Sequence, residues 1–331
     1  MNITVLGAGS WGTTVATIAA HRNPTLLWAR NEDDVAGINE RHENSRYLAG
    51  FPLPEGLRAT ADLEEAVGDA DVLVVGIPSS SFREVLETAA PFVRPWIPVV
   101  SLTKGFESGS YLRMTEVVKD VLPGRPAAAL TGPNIAKEIM AGYAAASVVA
   151  TEDLNVAGAL QNVLRRGLFR IYTNHDVVGC EVGGALKNVI AIASGMAQGL
   201  GVGDNTRSMV ITRGLSELTR LGVAMGGDPM TFAGLAGMGD LMVTCISPHS
   251  RNRHVGEQLG KGVPLDEILQ NMTMVAEGVK TAALVMELAE RHGVELPICS
   301  RIEGVVSGRL SVLEAYEGLM RTAPGHEAEP G

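Results

Sequence analysis

The sequence predicts an α/β protein: a doubly wound, mainly parallel sheet followed by a second, all-helical domain. Three observations carry that expectation. Short apolar runs alternate with helix-length amphipathic segments through the first half of the chain, a glycine-rich turn follows the first run, and beyond about residue 175 the chain reads as helix after helix. Strands separated by helices imply crossover connections, hence a parallel sheet covered on both faces. At 331 residues the chain is longer than a single hydrophobic core usually organises. Residues 1–175 make the first domain in this reading, 176–321 the second, and 322–331 a frayed tail.

In chain order, buried strands are expected at Ile3–Leu6, Leu26–Ala29, Val72–Gly76, Val99–Leu102 and Ala127–Leu130. Helical patterns lie between several of them, at Glu32–Arg41, Leu63–Val67, Phe82–Ala90 and Leu112–Leu122. Two further apolar runs, Ala144–Ala150 and Leu168–Tyr172, complete the sheet. From Glu181 to Leu200 the chain is rich in Ala, Gly and Ile without turn punctuation until Gly199–Gly203. A helix apolar or small nearly all round belongs in a core.

Composition narrows the function. Apolar content of 46% with 19% charged residues is that of a globular protein. A formal charge of −10 argues against nucleic acid as the main partner, because phosphate backbones select basic faces. Cys180, Cys245 and Cys299 are far apart and odd in number, which gives neither a metal spacing nor a disulfide framework and suits a reducing cytoplasm. A strand beginning within two residues of the start, with no basic n-region, leads us to expect no signal peptide. No uninterrupted apolar run of about 18 residues is present, so no membrane span is expected.

The stretch Val5-Leu-Gly-Ala-Gly-Ser-Trp-Gly-Thr-Thr14 sets glycines as Gly7-x-Gly9-x-x-Gly12 between a strand and a helix pattern. In that setting the first glycine makes a tight turn, the second lets a ligand approach the backbone and the third lets helix and strand pack closely; a pyrophosphate then sits on the helix N-terminus. A glycine-rich hairpin is the alternative. Ligands of such sheets bind beyond the carboxyl ends of the strands, and the unusual residues stand there: Gly7, Arg30, Gly76-Ile-Pro-Ser, Thr103-Lys104-Gly105 and Thr131-Gly132-Pro133-Asn134. NAD sites usually place an acid at the tip of the second strand. Here Arg30 stands there, and a guanidinium fork suits a 2′-phosphate. NADP is therefore favoured, with NAD left open by Glu32 and Asp33 just beyond; a solvated arginine is the bland alternative.

Four stretches point to chemistry. Ser101-Leu-Thr-Lys104 offers a lysine at the ligand edge. Lys187 and Asn188 interrupt a helix of small apolar residues, and a buried lysine demands an acid or a cleft unless it reaches the surface; desolvation also tunes a lysine for proton transfer. Asp240 follows the glycine-rich Gly234–Gly239 and stands four residues before Thr244, so both side chains can share a helix face; its ordinary role would be an N-cap. Finally, Ser250-Arg251-Asn252 within Ser247–Arg253 gathers donors suited to a phosphate monoester, or else forms a basic surface loop. His249 and His254 have no spaced partners for a metal.

Together these motifs resemble the NAD(P)-dependent glycerol-3-phosphate dehydrogenase family of bacterial type: GAGSWGT, LWAR, SLTKGFE, LTGPN, GGALKNVIAIASG, GLAGMGDLMVTC, SRNR and VAEGVKTA occur in the family order from Leu6 to Ala282. The resemblance implies a Rossmann-like nucleotide domain and reversible hydride transfer between dihydroxyacetone phosphate and sn-glycerol 3-phosphate, supplying phospholipid synthesis. It assigns Ser10, Trp11 and Arg30 to the cofactor, and Lys104 to a place between cofactor and substrate. Gly132, Asn134 and Ala136 line the same site. Lys187 is the family's general acid/base, oriented with the substrate by Asn188, Asp240 and Thr244. Arg251 and Asn252, flanked by Ser250, take the phosphate; Arg251 also touches the cofactor, over which Val275 and Glu277 close. A homodimer is the assembly it implies. Where the family commonly has serine or threonine after TGP, this chain has Asn134, which is expected to cap the following helix and donate a hydrogen bond. A ketopantoate-type or 3-hydroxyacid reductase would share the glycine turn and helix-borne lysine but has no need of Ser-Arg-Asn-Arg. A cofactor-binding regulator would not need Lys187 and Asp240.

Overall fold

The computed structural model describes residues 1–272 and 276–321, and the chain divides into two compact units, Met1–Val177 and Val178 onward. The first is built on eight strands: β1 (Ile3–Leu6), β2 (Thr25–Trp28), β3 (Leu57–Thr60), β4 (Val72–Val75), β5 (Val99–Ser101), β6 (Ala127–Thr131), β7 (Ala145–Ala150) and β8 (Phe169–Asn174). Their order in the sheet is β3-β2-β1-β4-β5-β6-β7-β8. All neighbours are parallel except β6 and β7.

Period-two alternation explains why both faces are covered. On β1 and β4, Ile3, Val5, Val72 and Val74 pack with Val15, Ile18 and Leu160 on one face, while Leu6, Leu73 and Val75 pack with Phe82, Leu86 and Val118 on the other. The expected strands are all present within a residue or two. β3 escaped the sequence reading: it is a four-residue edge strand with the exposed Arg58 in it and β2 as its neighbouring strand, and it carries no apolar run. The helix expected from Phe82 begins earlier, at Ser79.

Register fixes where the ligand edge lies. Leu6 is level with Trp28 and with Val75, and Val75 with Ser101, so the carboxyl ends of β1, β2, β4 and β5 meet at one edge. β7 runs the other way. It therefore brings its amino end to that same edge beside the end of β6, with Thr131 opposite Val148.

The second unit is helical. Its core is the helix Val177–Gly199, long and apolar enough by composition to cross a membrane but with 94% of its most apolar window buried inside the protein. Pro229–Ile246 passes the same length and hydropathy measure, yet comprises three short pieces, Pro229–Phe232, Leu235–Gly239 and Asp240–Ile246. The helix Arg251–Gly260 crosses the core helix at backbone contact: a Cβ on Gly256 would stand 2.0 Å from the carbonyl oxygen of Ile192. Residues 322–331 lie outside the described chain.

One buried acid ties the unit together. Glu217, on the helix Asp204–Ala224, accepts hydrogen bonds from the backbone N–H groups of Ile298 at 2.6 Å and Cys299 at 3.0 Å, and so caps the helix Pro297–Val306, whose own N-cap Leu296 supplies no side-chain bond. Burial pushes the Glu217 carboxyl above its ordinary 4.5, with the two N–H groups opposing it. A folded-state pKa above the unfolded one means that the folded chain holds the proton more tightly. The associated stability is complete below pH 4.5 and is lost as pH rises through the folded value. Urea unfolding between pH 4.5 and 8 should therefore show wild type losing stability relative to Glu217→Gln as pH increases. A difference independent of pH would contradict this.

Candidate active site

At the end of β1 the chain turns on Gly7, with φ +109°; a Cβ there would sit 2.6 Å from the Gly76 carbonyl oxygen. A Cβ on Gly12 would sit 2.0 Å from the Gly7 carbonyl oxygen, so helix Ser10–Ala20 touches the turn it leaves. Gly9 differs from both. It is the N-cap of that helix, makes no side-chain capping bond, and has open space where its Cβ would be. First-turn N–H groups lack intrahelical partners and stand at the positive end of the helix dipole. With no acid in that turn, the Gly9–Gly12 cradle fits a pyrophosphate.

Trp11 meets Phe169 edge-on, with centroids 6.2 Å apart and planes at 78°, and its buried Nε1 has no hydrogen-bond partner. Arg30 is exposed just beyond β2. Asn31 starts the next helix by accepting from the Asp33 N–H at 2.7 Å, so Glu32 and Asp33 serve as its acidic first turn and the strand tip belongs to Arg30.

Along the same edge, Lys104 is half-buried and its Nζ donates to the Gly132 carbonyl oxygen at 3.0 Å. Ala136 opens the short helix Ala136–Met140. The expected cap is not made: the N-cap is Ile135, with no side-chain capping bond. Asn134 instead accepts a hydrogen bond from the Ser147 hydroxyl at 2.5 Å, because the antiparallel β7 presents that hydroxyl to the loop first.

In the second unit Lys187 is 6% exposed and Asp240 1%. The lysine Nζ is ion-paired with Asp240 Oδ1 and donates to Thr244 Oγ1 at 2.6 Å. Thr244 in turn donates to the Asp240 backbone carbonyl at 2.6 Å, which leaves its oxygen free to accept from the ammonium. Asp240 is the first residue of its helix and Gly239 is the cap, so the carboxylate serves the lysine. The pairing depends on Gly183, one turn before Lys187, where a Cβ would lie 2.8 Å from the Ala236 carbonyl oxygen. The π-helical Leu235–Gly239 turn can then press against the lysine helix and deliver Asp240 beside it. Cys245, next to Thr244, is buried, and that burial pushes its thiol up to about 12, which makes it a packing residue rather than a nucleophile.

The Ser-Arg-Asn-Arg segment divides its labour. Ser250 caps the helix Arg251–Gly260 by accepting from the Arg253 N–H at 3.2 Å. Arg251 is exposed at the first helical position. Asn252 is buried and accepts from the Gly278 N–H at 3.0 Å, and Gly278 also lies against the Asn188 backbone: a Cβ there would be 2.6 Å from that carbonyl oxygen. Arg253 turns inward to Ser247 O, Gln198 and Glu257. Glu277 is half-buried at the start of helix Glu277–His292; Val275 lies outside the described residues. Among the described residues no group of three or more His, Cys, Asp or Glu side chains is placed to hold a metal ion.

Two contributors were missed in the sequence. Ser147 sits in an apolar strand and Gly183 in a run of small residues, and neither carries a local signature; only strand direction and helix crossing reveal them.

Comparison with known proteins bears on the whole chain. Residues 2–157 match the family model of the NAD-dependent glycerol-3-phosphate dehydrogenase N-terminus, and residues 176–317 that of its C-terminus. The chain is 57% identical over 331 residues to glycerol-3-phosphate dehydrogenase [NAD(P)+] 2 of Sphingopyxis alaskensis, covering 100% of this chain and 99% of the relative. It is 55% identical over 326 residues to the Mycobacterium avium glycerol-3-phosphate dehydrogenase [NAD(P)+], covering 98% and 96%. The crystal structure of glycerol-3-phosphate dehydrogenase from Coxiella burnetii superposes with a TM-score of 0.93 at 35% identity, covering 97% of this chain and 99% of that one. With both halves matched in order and relatives above half identity over its full length, this chain belongs to the NAD-dependent glycerol-3-phosphate dehydrogenase family.

Proposed function

We propose that this chain interconverts dihydroxyacetone phosphate and sn-glycerol 3-phosphate with NAD(P)(H), that NADPH is the preferred reductant, and that Lys187 moves the proton. The observation that carries the reading is the buried Lys187 ammonium held between Asp240 and Thr244. A bound nicotinamide supplies or takes the hydride. The residues of the chain do the rest.

Reduction of a ketone builds negative charge on its oxygen. A preorganised ammonium stabilises that charge in a site where water no longer screens it. Lys187 donates a proton to the carbonyl oxygen in this direction and removes the hydroxyl proton in the other. Asp240 balances the charge of the ammonium and aims it, and the Thr244 oxygen fixes a second N–H direction. Asn188 lies next to Lys187 on the core helix and helps to hold the substrate. Arg251, exposed at a helix N-terminus whose cap is already met by Ser250, takes the substrate phosphate through its guanidinium fork, with Asn252 beside it. Lys104, held by the Gly132 carbonyl, faces cofactor and substrate at the ligand edge of the first unit.

The cradle of Gly7, Gly9, Ser10 and Gly12 holds the pyrophosphate, Trp11 the neighbouring part of the cofactor, and Arg30 the 2′-phosphate. Ala136, Glu277 and Val275 complete the nucleotide site by the family resemblance. A homodimer working in the cytoplasm and feeding phospholipid synthesis rests on that resemblance too.

The primary test is NADPH oxidation with dihydroxyacetone phosphate, followed by absorbance and repeated with NADH. Lys187→Ala should lower kcat by about 10²–10⁴-fold, the span of lost acid–base catalysis, while NADPH still binds; full turnover would refute the role. Arg251→Ala should raise KM for the ketone phosphate by roughly ten- to a hundredfold, as for a lost charged hydrogen bond, and equal turnover of a phosphate-free ketone by wild type would remove the phosphate site. Arg30→Ala should cut the NADPH-over-NADH advantage in kcat/KM by about tenfold. No NADPH advantage in wild type, or one untouched by the substitution, would count against Arg30.

A further inference from the structure

At the ligand edge of the sheet, one fully buried hydroxyl arrives on β7, which with β8 runs against the other six strands. β7 pairs antiparallel with β6, Thr131 standing opposite Val148, so Ser147 falls beside the Gly132 turn. A Cβ on Gly132 would be only 3.2 Å from Ser147 Cα, and Gly132 itself has φ +122°. The two segments are therefore in backbone contact, and Ser147, with no exposed surface, has little freedom to move.

Its hydroxyl donates to Asn134 Oδ1 at 2.5 Å. That single bond selects the face of the amide, since a side-chain amide has an acceptor on one side and two donors on the other. With its oxygen turned to Ser147, Asn134 directs Nδ2 away from the strand, and that nitrogen is buried without a hydrogen-bond partner. Thr131 Oγ1, three residues earlier at the end of β6, is also buried and unpartnered. A buried donor without an acceptor is costly and rare in a folded protein. Of these two, one is at the end of β6 and the other in the loop that follows, on either side in sequence of the Gly132 carbonyl that anchors Lys104. They mark a place prepared for a ligand oxygen.

We infer that Ser147 is a positioning residue that locks the Asn134 amide so that its N–H donors meet an oxygen of the three-carbon phosphorylated substrate. The inference rests on the activity proposed above. Ser147 touches no substrate in this scheme; it acts through Asn134, and the reversed strand is the means by which the fold delivers it.

The test is steady-state kinetics of wild type, Ser147→Ala, Asn134→Ala and the double variant with dihydroxyacetone phosphate and NADPH, together with NADPH binding by fluorescence titration. Ser147→Ala should raise KM for the ketone about five- to tenfold, the scale of one hydrogen bond, and leave the Kd for NADPH within about twofold. The double variant should be no worse than Asn134→Ala, because a residue acting through its neighbour has nothing left to lose. Losses that multiply, or an unchanged KM in Ser147→Ala, would overturn the inference. Asn134→Asp keeps the acceptor for Ser147 but replaces the N–H donors with an oxygen, so KM should rise by about tenfold or more. An unchanged KM there overturns the inference even if the strand variants fold poorly. Absence of wild-type turnover overturns the activity and the inference with it, whereas wild-type turnover with none of these KM changes overturns the inference alone.

Discussion

An ammonium withdrawn from water is the constraint around which the second unit is arranged. Burying Lys187 alone would drive it to give up its proton, and Asp240 makes the charged form tenable by occupying the same dry site. A buried pair of this kind contributes little net stability, while removal of one partner leaves an uncompensated charge and costs about 3–5 kcal/mol. Its worth lies in geometry. The lysine helix, the π-helical turn and the Asp240 helix must all be correctly placed before the carboxylate reaches the amine, and the missing side chain at Gly183 is what lets the turn come close enough.

Much of this was legible in the chain because local rules and global fold agree. The strand–glycine–helix start, the fully buried β1 and β4, and the long small-residue helix each follow one pattern over their whole length. What escaped reading depended on a partner distant in sequence. β3 is short, half polar and paired in the sheet with β2 alone, its Ala59 backbone being held besides by the distant Asn39 side chain. The reversal of β7 is invisible in Ala145–Ala150, because a buried parallel strand and a buried antiparallel one are written in the same residues. The Asn134 cap failed for the same reason: local preference favours an N-cap, but Ser147 reaches the amide oxygen across the sheet, and tertiary contact outweighs propensity.

The site residues show the same division. Spacing alone put Asp240 and Thr244 on one helix face, and both side chains do meet Lys187. Spacing did not reveal that Thr244 spends its only proton on a backbone carbonyl, which is what turns it from a competitor for Asp240 into an acceptor for the lysine.

A strongly acidic chain with a phosphorylated substrate must concentrate its cations, and in the function proposed above Ser-Arg-Asn-Arg is where it does so. Two arginines two apart on a helix point about 200° away from each other, so one such pair cannot both face a ligand. Arg253 faces inward, where Glu257 and the Ser247 carbonyl meet its guanidinium; Arg251 stays exposed. The inner arginine holds the helix start in place and the outer one is presented by it. Beyond about 8 Å in physiological salt the field of the whole protein is screened, so a net charge of −10 is compatible with the proposed anion site, where a guanidinium stands at a helix N-terminus. In that reading ligand selection rests on individually placed donors and not on overall charge.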